Sequence, residues 1–170
     1  FTGPSSDHTS GGGKYLYLEA SGGCTGQEAL LISPCINLTG DVQPIISFWF
    51  HMYGANMGSL HMDVFDGANW TNDVMPVISG DQGNVWNIEE VDLSAFAGMT
   101  INIRFRGITG ADYSSDIAID DILLYHPPIA DFESLLGIHV LRQGQAQWSA
   151  HQEKGCQGRE AMSAQHEGVA

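Results

Sequence analysis

Asp120 and Asp121 stand side by side inside an apolar run, Asp116-Ile117-Ala118-Ile119-Asp120-Asp121-Ile122-Leu123-Leu124. Side chains of an extended strand alternate between its two faces. Ile117, Ile119 and Leu123 would share a face with Asp121, and Ala118, Ile122 and Leu124 a face with Asp120. Strict alternation therefore aims one carboxylate at the core, whichever face is inward. A buried carboxylate without a partner is costly, so it needs a cation or an arginine. Arg104 or Arg106 would serve. The expectation favoured here is calcium, which takes about six to eight oxygen ligands from carboxylates and carbonyls. Asp7, in a Gly/Ser loop, and Glu19, at a strand end, are further candidate ligands, and the role expected of the ion is structural.

Aromatic rings flanked by amides and carboxylates suggest a second kind of site. Trp70 sits among Asn69, Thr71, Asn72 and Asp73. A sugar ring can stack on such an indole while Asn69, Asn72 and Asp73 take its hydroxyls. Trp49 and Trp86 are expected in the core. His8, His51 and His61 have no zinc-ligand spacing and no Cys-x-x-Cys beside them, so each is expected to be a hydrogen-bonded strand or loop residue. His61 and Asp63 share a strand face, but no serine nucleophile can be named beside them. Gly-x-Ser-x-Gly, His-Glu-x-x-His and phosphate-binding glycine loops are absent from the sequence, and the expectation is a protein that is not an enzyme. Cys24 and Cys35 flank the apolar stretch Ala29-Leu30-Leu31-Ile32. If two short segments pair side by side there, the cysteines form a disulfide; otherwise they are small buried thiols.

The elements that must position these residues are short strands. Tyr15-Leu16-Tyr17-Leu18-Glu19, residues 45–53, residues 59–65 and residues 100–106 all read as strands, with Gly22-Gly23, Asp66-Gly67 and residues 79–83 as turns. Leu60, Met62 and Val64 share one face of their strand; Ile101, Ile103 and Phe105 share the inward face of theirs. No stretch holds a helical period, so the chain reads as an antiparallel sandwich or barrel. Pro127-Pro128 ends the pattern, and the Gln-rich composition beyond it divides the chain into a body at 1–128 and a tail or following β module at 129–170. With 6 basic against 20 acidic residues the net charge is −14. That argues against nucleic acid and anionic membrane surfaces as partners. No run is long and apolar enough for membrane insertion.

Six motifs, in order, resemble the MAM family of extracellular domains. They are Gly3-Pro4-Ser5-Ser6-Asp7-His8-Thr9 with residues 13–21; Leu31-Ile32-Ser33-Pro34; residues 47–54 with Met57-Gly58; Gly83-Asn84-Val85-Trp86; Arg104-Phe105-Arg106-Gly107; and Asp116 to Ile122. Cys35, Thr109 and Gly110 give the flavour of MAM modules in large secreted bacterial proteins. The resemblance implies an all-β, two-sheet antiparallel jelly-roll β-sandwich, often calcium-bound. It implies adhesion or binding on a secreted or cell-surface protein, with an extracellular protein as partner or self-association between copies. The alternative is a carbohydrate-binding module that targets a linked enzyme to a polysaccharide.

The chain departs from the family at its ends. The usual Phe-Glu strand before the Gly-Pro-Ser motif is reduced to Phe1-Thr2, and the start reads like the inside of a longer polypeptide. Ala130-Asp131-Phe132-Glu133 resembles that missing strand. It could open a following repeat, complete this sheet (in its own copy or by strand exchange with another), or open a different β module; the tail could equally be unstructured. In related jelly rolls the Glu of such a strand meets the Asp of the closing strand, so Glu133 joins the candidate metal ligands.

Overall fold

The computed structural model describes residues 2–126 and the backbone of two short strands at 149–151 and 162–164. These residues form two antiparallel sheets facing each other, the expected all-β jelly-roll sandwich. The first contains β1 (Leu16–Leu18), β10 (Ile117–Tyr125), β4 (Ile45–Met52) and β8 (Asn87–Asp92), with β12 (Met162–Ala164) on the outer edge of β1. The second contains β2 (Glu28–Ile32), β9 (Thr100–Ile108), β5 (Ser59–Phe65) and β6 (Trp70–Thr71), with β11 (Ser149–His151) on the outer edge of β2. Two small strands complete it: β3 (Ile36–Asn37) pairs with β9, and β7 (Ile78–Ser79) with β5. A single 3₁₀ turn at Ser94–Phe96 interrupts the β structure of the described residues.

Alternation builds the core. Leu60, Met62 and Val64 of β5 and Ile101, Ile103 and Phe105 of β9 are buried against Ile46, Phe48, Phe50 and Met52 of β4 and Ile117 and Ile119 of β10. Phe48 and Phe105 meet edge to face across the sheets, 4.7 Å between centroids, the arrangement favoured by the ring quadrupole. The other residues of these strands face outward, and they carry the polar and ionisable groups.

Strict alternation fails at one place, and the failure corrects the reading of Asp120 and Asp121. The register of β10 on β4 shifts between Asp120, opposite Trp49, and Leu123, opposite Ser47. Phe48 alone thus lies opposite Asp121 and Ile122, which is a β-bulge. Asp121 takes the left-handed conformation at φ 47°, one that aspartate tolerates better than most residues. Ile117 and Ile119 before the bulge and Ile122 and Leu124 after it all pack on the core. The extra residue lets both carboxylates leave the core face, so neither is aimed inward as alternation alone would require.

Candidate functional site

The outer face of the first sheet is covered by the loop that carries the Gly-Pro-Ser motif. Asp7 organises that loop: its carboxylate accepts the N–H of Ser10 at 2.8 Å, the hydroxyl of Ser10 at 2.9 Å and the N–H of Gly13 at 2.8 Å. The backbone N–H of Ser10 is the largest influence holding the Asp7 carboxyl at a pKa of about 2. Asp120 accepts the N–H of His8 at 2.9 Å; Asp121 accepts from Thr9 Oγ1 and meets His8 Nδ1 at 2.8 Å. The loop supplies donors to both carboxylates, yet burial still pushes the Asp120 carboxyl up, and the neighbouring Asp121 and Asp7 carboxylates add to that. Arg104 and Arg106 both lie on the other sheet.

The imidazole of His8 stacks on Trp49, with centroids 3.6 Å apart, and Trp86 donates its indole N–H to the carbonyl of Ser6 at 3.2 Å. Trp49 and Trp86 are therefore half-buried beneath this loop, not part of the core between the sheets. His51 is only 2 % exposed beside them; its Nε2 meets Asn84 at 3.0 Å. Burial pushes its pKa down.

A second acidic spot lies at the start of β10. Asp116, buried, accepts from Thr2 Oγ1 at 2.9 Å and from the N–H of Ala20 at 2.9 Å. Its carboxyl is pushed up, first by burial, against the pull of those two donors, and further by the adjacent Glu19 carboxyl. A carboxyl raised by a neighbouring carboxyl favours a proton or a cation beside it. The sequence reading singled out Glu19 but missed Asp116; the signal available was an acid opening an apolar strand. Glu133 lies outside the described residues. Among the described residues no group of three or more His, Cys, Asp or Glu side chains converges as a metal site. Asp7 is likewise separated from Glu19 in function, since its oxygens are taken by the loop it holds.

The richest constellation is on the outer face of the second sheet. Asp63 of β5 has no exposed surface. Its carboxylate accepts Arg104 Nη2 at 2.7 Å and Nε at 2.9 Å, Arg106 Nε at 3.2 Å, and the N–H of Asp73 at 2.9 Å. Burial alone would raise the Asp63 pKa; the bonds from Arg106, Asp73 and Arg104 outweigh it and hold the carboxyl below its ordinary value. Arg106 also reaches Asp73 at 3.0 Å and Glu28 at 3.6 Å. Asp73 sits in the left-handed region at φ 54°. Trp70 lies over this network with the Arg104 guanidinium 4.1 Å from its ring centroid and Phe65 against it at 5.3 Å; 36 % of Trp70 remains exposed. Asn72 accepts from Arg104 at 3.2 Å. Thus Trp70, Asn72 and Asp73 converge as candidates for one site. Asn69 lies in the turn instead, its N–H bonded to Asp66.

The same face brings together Ser59, His61 and Asp73, a connection the sequence did not reveal. Ser59 Oγ meets His61 Nε2 at 2.8 Å, and His61 Nδ1 meets Asp73 at 2.7 Å. This is the connectivity of a hydrolytic triad. Acyl transfer also needs N–H donors aimed at the developing oxyanion. Ser59 lies mid-sheet, paired with Ile108 of β9 on one side and Ser79 of β7 on the other. Strand N–H groups run in the sheet plane, whereas the serine hydroxyl projects perpendicular to it. The triad-like chain reads as a relay that fixes His61 and Asp73.

The cysteines do not pair as expected. Cys24 is disulfide-bonded, whereas Cys35 is an exposed free thiol, 3.9 Å from the Asn102 side chain. The segment between Cys24 and Cys35 contains β2, with Glu28 opposite Ile108 and Ile32 opposite Arg104. β2 runs extended between the two cysteines at roughly 3.3 Å per residue and separates the segments that carry them.

Comparison with known proteins gives a consistent answer. The family described as MAM domain, meprin/A5/mu, matches residues 1–128. Thyroid hormone-induced protein B of Xenopus laevis is 35 % identical over 132 residues, covering 77 % of this chain and 19 % of that protein. MAM domain-containing glycosylphosphatidylinositol anchor protein 1 of Gallus gallus is 37 % identical over 120 residues, covering 66 % of this chain and 12 % of its own length. Neuropilin-1a of Danio rerio is 33 % identical over 123 residues, covering 71 % and 13 %. The chain thus spans a fifth or less of these relatives. All three are vertebrate proteins and lend no support to a bacterial flavour. Among solved structures, TmCBM61 in complex with β-1,4-galactotriose is similar at TM-score 0.44 and 16 % identity, covering 61 % of this chain and 67 % of that one. Family 16 Carbohydrate Binding Module-2 is similar at TM-score 0.41 and 18 % identity, covering 66 % and 76 %.

Proposed function

This chain belongs to the MAM domain family, and on that footing we propose that it is a non-catalytic extracellular contact module of a larger secreted or cell-surface protein. The observation that carries this reading is the family match across the whole domain body, residues 1–128. No helix among the described residues is long and apolar enough to cross a membrane. The partner is an extracellular protein, including a second copy of the module. β11 and β12 join the sheets from far along the chain, and exchange of such a strand between copies is one route to self-association. Beads coated with the module should aggregate with one another. Dispersed beads, together with a monomer at every concentration in sedimentation velocity, would refute self-association.

Calcium stabilisation belongs to the same proposal. The raised Asp116 carboxyl, pushed up by burial and further by Glu19, fits a hard cation, because a divalent ion removes the like-charge repulsion without a proton. Glu19 and Asp116 would hold the ion. Asp116, Asp120 and Asp121 each already accept protein donors, so an ion at any of them would share the carboxylate with those bonds. When bound, the ion supplies charge neutralisation only. EDTA should lower the melting temperature and calcium restore it; an unchanged melting curve would remove calcium from the proposal.

A further inference from the structure

We propose that the outer face of the second sheet binds a neutral saccharide, with one sugar ring on Trp70 and its hydroxyls on Asn72, Asp73 and Arg104. This goes beyond the contact-module reading, which requires no small-molecule site. Three observations converge on it.

The first is the platform. Trp70 is the only large exposed hydrophobic residue in the network, and one side of its ring already rests on the Arg104 guanidinium. The guanidinium 4.1 Å from the ring centroid and Phe65 at 5.3 Å restrain the indole. The ring's negative π face then suits the weakly positive C–H face of a pyranose. A protein partner would need an apolar core of several neighbouring residues. Here one exposed indole, backed by Phe65, stands beside Arg104, Asn72 and Asp73, which matches a sugar better than a protein.

The second is the rigidity of the polar groups. Asp63 fixes the backbone of Asp73 through its N–H, and His61 and Arg106 hold the Asp73 carboxylate. Asp73 persists at positive φ because these contacts over-determine it. Asn72 is tied to Arg104 through its carbonyl oxygen, which leaves the amide hydrogens as donors. Arg104 bonds through Nε and Nη2, and a guanidinium carries further donors at Nη1. Groups already held in place lose little freedom on binding.

The third is charge. Arg104 and Arg106 face Asp63, Asp73 and Glu28. Three carboxylates against two guanidiniums leave no spare cation for a sulfate or uronate. A neutral glycan carries no such demand, and its hydroxyls both donate and accept.

Affinity electrophoresis of the intact chain tests this in gels holding neutral β-glucan, xylan, mannan or galactan, or the polyanions heparin or polygalacturonate. At least one neutral polysaccharide should retard the protein. Trp70→Ala should weaken that retardation about tenfold, the equivalent of a 1.4 kcal/mol loss, and Asn72→Ala should weaken it less. Trp70→Phe keeps a ring and should fall between wild type and Trp70→Ala, which covers the case in which Trp70→Ala fails to fold. Three results would overturn the proposal: no retardation in any neutral gel, retardation by polyanions alone, or equal retardation of wild type, folded Trp70→Ala and Trp70→Phe. Bead aggregation does not depend on this site, so the two proposals fail separately.

Discussion

Replacing Asp63 by alanine should be the most damaging single change on the outer face of either sheet. The carboxylate has no exposed surface and is the shared acceptor of two guanidiniums and one backbone N–H. Removing it strands Arg104 and Arg106, whose side chains are only 18 % and 16 % exposed. Removing one partner of a buried ion pair costs about 3–5 kcal/mol. Arg106 retains Asp73 and Glu28, and both arginines reach some solvent, so the lower end applies, about 3 kcal/mol. For a domain of this size roughly 3 °C accompanies each kcal/mol, which gives a fall of about 9 °C in melting temperature. Asp63→Asn keeps the shape and the bond from Asp73 and should lose about half as much. The pH dependence has a definite sign. The folded pKa of Asp63 is depressed below 3.8, so its charge-dependent stabilisation is fully present above pH ~4 and is lost as pH falls through the lower folded value. The gap between wild type and Asp63→Asn should therefore be constant near neutrality and close on acidification. Thermal melts followed by circular dichroism provide the measurement. A fall below about 3 °C for Asp63→Ala, or a gap that widens in acid, would refute the reasoning.

Other outcomes follow from particular contacts. Gly110→Ala would place a Cβ 1.7 Å from the carbonyl oxygen of Asn56, a backbone atom that cannot rotate away; a loss of at least about 2 kcal/mol is expected in urea denaturation. Cys35, exposed and free, should react with a thiol reagent in the native state, and Cys35→Ser should leave stability within about 0.5 kcal/mol. Ser59 should resist a fluorophosphonate probe despite its bond to His61, and labelling that His61→Ala abolishes would establish a working nucleophile. Trp86→Phe removes the indole bond to the Ser6 carbonyl and should speed amide exchange at His8 and Ser10 while leaving exchange in β9 unchanged.

Much of the architecture was legible because alternation is a local property. β5 and β9 show it without interruption, and their inward residues are the ones the sequence picks out. The bulge at Asp121 was not legible. It depends on the register of β10 against β4, a strand about 70 residues earlier in the chain. Asp7 read as a possible metal ligand because its type suits one, yet its three donors come from the loop's own backbone and Ser10, a geometry that no spacing rule distinguishes from a cation site. Trp70, Asn72 and Asp73 were visible as a group because they are neighbours in sequence. Their supports, Asp63, Arg104 and Arg106, come from other strands.

The sequence by itself determined which segments extend and, in β5 and β9, which face of each is apolar. Those features follow from side-chain type and a period of two. Only the tertiary structure decided which charges meet. Asp63 rather than Asp120 or Asp121 received the arginines, because β5 pairs with β9 while β10 lies in the opposite sheet. The aspartates that looked buried were turned outward by one extra residue and satisfied by a loop more than a hundred residues away. Strand pairing is a long-range choice, and it sets the partners that convert an ionisable residue into a structural or a binding group.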